Sequence, residues 1–448
     1  MFDLDAGTQM VILFFLLLFL RVPVAFALGL SSLYAMWQVG FGLDLVGDLL
    51  SSGIAKFSLL AIPFFILAGA LMGTVGIAER MIRFFRVLVG SLPGGMGIVG
   101  TVVCLFWGAV SGSGPASVAA IGPLIIKGME EDGYPRVFSA ALVCTGAALS
   151  IVIPPSIGLV VYGVIAETSI SQLFIAAVIP GIVMGLLMLL TLPFVAVSRR
   201  KRKASEANPD SGEGLAVLGP APYAEFSYSK RLVCSFVDAS WGLLTPVIVL
   251  GGIYAGIFTP TEAALVATVY ALFVGLFIYR TLNMRTLYSS LVDASASSAV
   301  VMLVVAFASL FGWVVIIDDL VGKYSGVLLA LSDSEWIILV VIMLVVLITG
   351  MFMDAITIMF ITLPIFLPVV RELGWDPVWF GVLMMINLAI GLFTPPVGIN
   401  LFVAANITRT PLEKISVGAL PFLATSLVGL AIVAIFPSLS IFLTAFLN

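Results

Sequence analysis

Histidine is absent from all 448 residues. That absence excludes a histidine metal site, a histidine general base and a histidine proton relay. Charge is scarce as well: Asp, Glu, Lys and Arg make up 10% of the chain, against about 25% in soluble domains. So little charge does not cover a water-facing exterior, which excludes a soluble globular protein. The three cysteines, Cys104, Cys144 and Cys234, lie in or beside apolar stretches with no C-x-x-C spacing. They are expected to be packing residues, not a disulfide framework. Intramembrane catalysis needs an activated nucleophile, and isolated serines without a base supply none, so no enzyme is expected. The opening Met1-Phe-Asp3-Leu-Asp5 is acidic, whereas a cleavable signal begins with positive charge. The first span, 9–20, is therefore expected to stay in the mature protein.

What is present is apolar sequence. Hydrophobic residues make up 61% of the chain and the mean hydropathy is +1.23. The apolar blocks number about a dozen, and a span needs about 20 residues. The expected fold is an all-α polytopic membrane protein. Within it lies a repeat: Ser150-Ile-Val-Ile153-Pro154-Pro155-Ser156 returns 241 residues later as Gly391-Leu-Phe-Thr394-Pro395-Pro396-Val397. Pro123 maps to Pro364, Gly133 to Gly374 and Pro180 to Pro421 at the same offset. Four of the six prolines between Gly108 and Leu190 find a proline this way. At about one proline in twenty residues, roughly 0.3 such matches arise by chance. An internal repeat broken by paired prolines is the pattern of a secondary transporter with its site at the breaks.

The clearly polar stretch between the halves runs over 199–230 and opens Arg199-Arg200-Lys201-Arg202-Lys203. A basic run alone would also fit nucleic-acid binding. Between two hydrophobic halves it reads as a cytoplasmic connector, because Lys and Arg accumulate inside, and no nucleic-acid partner is expected. The chain thus divides into a first repeat (1–198), the connector (199–230) and a second repeat (231–448). Arg80, Arg83 and Arg86 on an amphipathic stretch also favour the cytoplasm. Walking outward from these anchors makes 95–127 a re-entrant hairpin entered from the cytoplasm and 137–166 a broken helix. In the second half, 336–370 becomes a hairpin entered from outside and 378–406 a broken helix. Both termini then fall outside, so the repeats are expected to be inverted and to alternate access to one central site.

The breaks carry the chemistry. Proline lacks an N–H and clashes with the preceding turn, so carbonyls upstream of each Pro-Pro pair lose their partners. An unsatisfied carbonyl in hydrocarbon costs several kcal/mol, and a sodium ion seeks such hard oxygens. The first site is expected from Ser150 and Ile153 carbonyls with Ser111-Gly112-Ser113 at a hairpin tip. The second is expected from Gly391 and Thr394 beside Gly350-Met-Phe-Met-Asp354. A plain proline kink is the alternative. Asp354 is a carboxylate within a span, which is expensive and by default functional; it fits an ion or substrate ligand, a helix N-cap, or both. Asn387, Asn400 and Asn406 donate and accept, yet asparagine at a break is often a cap. The candidate substrate contacts are Ser113, Ser156, Asp354, Asn387 and Asn400. Glu262, in Thr259-Pro260-Thr261-Glu262, reads as a structural helix start.

Five motifs together carry a family resemblance: Ser111-Gly-Ser113-Gly-Pro-Ala116, Ile153-Pro-Pro-Ser156, Gly256-Ile-Phe-Thr-Pro-Thr-Glu-Ala263, Gly350-Met-Phe-Met-Asp354, and Asn387-Leu-Ala-Ile-Gly391-Leu-Phe-Thr394-Pro-Pro-Val-Gly398. Close to end to end, the chain resembles the large membrane subunit of a tripartite ATP-independent periplasmic (TRAP) transporter. The resemblance implies sodium-coupled uptake of a small organic anion across the inner membrane by an elevator motion, with no cofactor beyond the coupling ion. It implies two partners, a small four-helix membrane subunit, expected as a separate chain, and a periplasmic substrate-binding protein. It places the sodium sites on Ser111, Ser113, Ser150, Ile153 and Pro155, and by symmetry on Asp354, Gly391, Thr394 and Pro396. The alternative is a stand-alone sodium–carboxylate symporter of the wider ion-transporter superfamily, which would work without partners.

Overall fold

The computed structural model describes residues 5–90, 92, 94–192 and 226–447. The connector up to residue 225, and Asp3, lie outside the described residues. Among those described, the regular secondary structure is all helix, and seven helices are long and apolar enough to cross a membrane.

The first half runs α1 (Ala6–Phe19), α2 (Val24–Val39), α3 (Leu43–Ile54), α4 (Ala61–Thr74) and α5 (Ile77–Val89). There follow α6 (Gly95–Ser111), α7 (Gly114–Glu131), α8 (Arg136–Ala148), α9 (Ile157–Ala166) and α10 (Ile170–Leu189). The second half runs α11 (Tyr228–Tyr254), α12 (Pro260–Phe273), α13 (Met284–Ile317) and α14 (Leu320–Ala330). Then come α15 (Glu335–Gly350), α16 (Ala355–Glu372), α17 (Pro377–Gly391), α18 (Ile399–Thr408) and α19 (Leu412–Ile435). The run α6–α10 and the run α15–α19 thus repeat the same order of helices, hairpin, broken pair and long span.

Local sequence sets the boundaries. Prolines stand at the starts of α8, α17 and α19, where a missing N–H is harmless. Glu262 is a structural residue, as its sequence context indicates: its carboxylate accepts from the Thr259 N–H at 2.8 Å, and Thr259 Oγ1 accepts from the Glu262 N–H, closing a capping box at the start of α12. Ser169 and Asp376 cap α10 and α17 through side-chain oxygens.

Two groups of helices pack face to face. A frame is built from α1–α5 with α11–α14: α12 and α13 lie on α4, α13 on α2, and α11 on α5. A core is built from α6–α10 with α15–α19. Within it the halves interlock, α18 packing on α7 and α8, and α9 on α16 and α17. The two broken-helix entries, α8 and α17, are buried along almost their full length. A helix hydrophobic all round belongs in such a position. Frame and core meet where α4 and α5 touch α6, and where α13 touches α16.

Candidate transport site

The first hairpin turns at Gly112, whose φ of +63° is the left-handed conformation that favours glycine. Ser111 and Ser113 flank the turn, and Ser113 starts α7. The Ser113 carbonyl accepts from Ser117 Oγ at 2.7 Å and from Ser111 Oγ at 3.4 Å. Opposite, α8 tightens into a 3-10 turn over Leu149–Ile151 and then breaks at Pro154-Pro155. Both Pro-Pro bonds of the chain, Pro154-Pro155 and Pro395-Pro396, are cis. Ser156 resumes the helix: its hydroxyl donates to the Ile151 carbonyl at 2.5 Å and faces the Leu159 N–H at 3.5 Å.

Hairpin and break touch through backbone. A Cβ on Gly108 would lie 3.1 Å from Ser150 Cα, and one on Gly112 would lie 3.6 Å from the Pro155 carbonyl oxygen. Ser111–Ser113, Ser150 and Pro155 are therefore brought together. Ile153 packs against Gly181 of α10. The Ser150 hydroxyl turns back onto the Ala147 carbonyl at 2.6 Å.

The second hairpin turns over 351–354. Asp354 stands at the N-cap of α16, where Oδ2 accepts from the Thr357 N–H at 3.1 Å and Oδ1 from Thr357 Oγ1 at 2.6 Å. The cap role is thus real, and the same residue lines the central cavity. Gly350 and Gly391 cross backbone to backbone, since a Cβ on Gly391 would lie 2.7 Å from the Gly350 carbonyl carbon. The Gly398 N–H donates to the Met351 carbonyl at 3.0 Å, tying break to tip. Thr394 Oγ1 donates to the Ile390 carbonyl at 2.6 Å, and Pro396 follows in the same turn. Gly350, Asp354, Gly391, Thr394 and Pro396 are gathered in this second crossing.

The asparagines lie elsewhere. Asn387 is fully buried within α17 and donates to the Met343 carbonyl at 2.5 Å, while its Oδ1 has no hydrogen-bond partner among the described residues. Asn400 is fully buried on α18 and donates to the Cys144 carbonyl at 2.9 Å; its Oδ1, also without a partner among the described residues, faces Gly114 at the first hairpin. It joins the second break to the first hairpin. Asn406 is exposed.

A cavity of about 830 Å³ opens between frame and core. Of the residues singled out by sequence, Ser111, Gly112, Ser113 and Asp354 line it. Ser150, Ile153, Pro155, Ser156, Gly350, Asn387, Gly391, Thr394, Pro396 and Asn400 do not line it; all are buried except Ile153, which is half-buried, and Pro396, which is exposed. Sequence reasoning overlooked part of the lining: Glu79 of α5, Trp107 of α6, and Ser290, Asp293 and Ser297 on one face of α13. The signal for Asp293 was present, because a carboxylate within a long span is informative wherever it occurs. The acidic residues Glu79, Asp293 and Asp354 line this cavity, and no Lys or Arg among the described residues does. Among the described residues no group of three His, Cys, Asp or Glu side chains gathers. The donors at both crossings are carbonyls, hydroxyls and one carboxylate, the hard oxygens that suit an alkali cation better than a transition metal.

Paired hairpins meeting paired broken helices beside a cavity are the arrangement of a membrane transport permease. Residues 11–439 match the tripartite ATP-independent periplasmic transporter family, DctM component, and the chain belongs to that family. It is 39% identical over 431 residues to the isethionate TRAP transporter permease protein DctMQ of Oleidesulfovibrio alaskensis, a match covering 96% of this chain and 65% of that protein. It is 42% identical over 392 residues to the C4-dicarboxylate TRAP transporter large permease protein DctM of Pseudomonas aeruginosa, covering 88% of this chain and 87% of that one. The fold is similar to that of the Alcanivorax borkumensis YdaH transporter, with a TM-score of 0.65 over 97% of this chain and 98% of that chain at 15% identity.

Proposed function

We propose that the chain carries out sodium-coupled uptake of a small organic anion, of the carboxylate or sugar-acid class, across the inner membrane. The observation that carries this reading is the pair of backbone crossings, Gly108 on Ser150 and Gly350 on Gly391, each placing hairpin-tip oxygens beside a proline-broken helix. Sodium is bound by Ser111–Ser113 with Ser150, Ile153 and Pro155, and by Asp354 with Gly391, Thr394 and Pro396. The anion sits in the cavity against Ser113 and Asp354, its charge offset by the ions. A carboxylate-lined wall without basic residues repels a bare anion, so ion binding comes first. The division into frame and core supports an elevator motion of α6–α10 with α15–α19, related as inverted repeats. A small four-helix membrane subunit and a periplasmic binding protein complete the transporter. The named relatives handle isethionate and C4-dicarboxylates, both small organic anions.

In proteoliposomes with both partners, uptake is expected to require an inward sodium gradient and to stop when potassium or proton gradients replace it. Undiminished uptake without sodium sinks the coupling. Uptake by the chain alone sinks the tripartite reading in favour of a stand-alone symporter. Orientation has its own check: with both termini outside, a cysteine placed at Asp333 should label with an impermeant thiol reagent in spheroplasts and one at Glu413 should not. The reverse pattern overturns it.

A further inference from the structure

A second pocket, of about 290 Å³, lies away from the central cavity. It sits where α15 and α17 begin and α19 ends. The 24 residues of α19 span about 36 Å, enough to cross a hydrocarbon core of about 30 Å. The pocket is therefore at the membrane level opposite Arg409 and Lys414. Its walls are Glu335, Trp336, Trp375, Asp376, Trp379 and Ile435.

Two of the indole N–H groups are fixed by hydrogen bonds, one at the surface and one inside. Trp375 Nε1 donates to Glu335 Oε2 at 3.2 Å, and Trp379 Nε1 donates to the Val433 carbonyl at 3.0 Å. Trp375 and Trp379 meet edge to face with centroids 5.9 Å apart. Asp376 Oδ1 accepts from the Val378 and Trp379 N–H groups at 2.7 and 3.3 Å. One oxygen of each carboxylate is thus committed; Glu335 Oε1 and Asp376 Oδ2 accept no hydrogen bond among the described residues. No Lys or Arg lines the pocket. The carboxyl end of α19, which carries partial negative charge, opens onto it through Ala434 and Ile435. Three indoles, two carboxylates and a helix C-terminus all favour a cation, and aromatic walls favour an organic ammonium over a hydrated metal ion.

An interfacial aromatic belt accounts for a tryptophan that is 55% exposed, such as Trp336. It does not account for a buried Trp379 and a half-buried Trp375 set beside a pair of carboxylates. From Trp336 an apolar track continues down the outer face of α15 through Ile337, Val340 and Leu344, each more than half exposed.

We infer that this pocket binds the ammonium headgroup of an amphiphile of the phosphatidylethanolamine type, with its chain along α15. The ligand touches α15, α17 and α19 at once and so braces the base of the second hairpin. The inference stands apart from the sodium reading.

The test uses the purified full chain, stripped of lipid in detergent. It is titrated with dihexanoyl phosphatidylethanolamine, dihexanoyl phosphatidylglycerol or free ethanolamine, and bound molecules are counted by native mass spectrometry. The ethanolamine lipid is expected to bind roughly tenfold tighter than the glycerol lipid, and free ethanolamine more weakly than the lipid that carries it. The pair Glu335→Gln with Asp376→Asn should weaken the ethanolamine lipid about fivefold or more, with the helix cap kept because asparagine caps as well as aspartate. Trp336→Ala, at an exposed position, should do the same if the double variant folds poorly. Equal binding of the two lipids, or unchanged binding by both variants, overturns the site. Equal affinity for ethanolamine and its lipid overturns the amphiphile and assigns a free organic ammonium instead. Occupation by a periplasmic protein without any lipid selectivity overturns it as well.

Discussion

The two crossings at the centre of this permease share a backbone plan and differ in chemistry. At the first, Gly108 lies against Ser150, and the serine keeps a hydroxyl that bonds within its own turn. At the second, Gly350 lies against Gly391 and neither partner has a side chain. The first hairpin starts α7 with Ser113, whose side chain makes no cap bond. The second starts α16 with Asp354, whose carboxylate makes two hydrogen bonds to Thr357. The repeat thus preserves close backbone approach while putting negative charge in only one half. Geometry, more than side-chain identity, is the common feature, and the charged copy is where a change in binding is expected to be largest.

Substitutions at matched positions sharpen this contrast. The largest effect is expected from Gly391→Ala. Its new methyl would lie under 3 Å from Gly350 backbone, which has no flexible side chain to move aside. Overpacking of that kind costs about 1–3 kcal/mol, so thermal stability in detergent should fall and uptake should be lost. A variant as stable and active as the parent would show that the close crossing is dispensable.

Next comes Asp354→Asn. Asparagine caps about as well as aspartate, so assembly and stability should persist while uptake drops more than tenfold, at least about 1.4 kcal/mol. Near-normal uptake would reduce Asp354 to a cap. Asp293→Asn asks the same of the frame side of the cavity. A carboxylate that only lines the cavity should change uptake by about threefold or less, under roughly 0.7 kcal/mol. A larger loss would move part of the binding site onto α13.

Thr394→Val is expected to act more narrowly. It removes one hydroxyl and leaves the carbonyl. If the side chain is a ligand, the sodium concentration for half-maximal uptake should rise severalfold at unchanged maximal rate; no shift would assign the contact to the carbonyl. A mild effect is also expected of Ser150→Gly, which makes the first crossing resemble the second. Its hydroxyl serves its own helix, so a change within about 1 kcal/mol is expected, read as thermal stability. A loss as large as that of Gly391→Ala would break the equivalence of the two crossings.

Much of this site was legible beforehand for a definite reason. Proline and glycine act through local sterics, so a Pro-Pro pair ends a helix wherever it stands, and Ser-Gly-Ser-Gly-Pro turns a hairpin in any surroundings. The Thr259–Glu262 cap was readable on the same ground, three residues apart in one turn. Asn387 and Asn400 were not readable in this way. Both contain amide groups that any break could use as a cap, yet one is anchored to Met343 and the other to Cys144 across the bundle. Their partners lie 44 and 256 residues away in the chain, beyond the reach of local rules.

The sequence by itself determined an all-helical membrane protein with a 241-residue internal repeat and two proline-broken elements, because hydropathy and helix breaking are properties of short segments. Tertiary structure alone decided which oxygens face the cavity. Ser111, Ser113 and Asp354 reach it, Thr394 and Asn400 do not, and Glu79 and Asp293 arrive from the frame. That selection depends on the rotation of each helix about its axis, which is set by neighbours distant in the chain, through contacts such as Gly350 on Gly391 and Asn400 on Cys144.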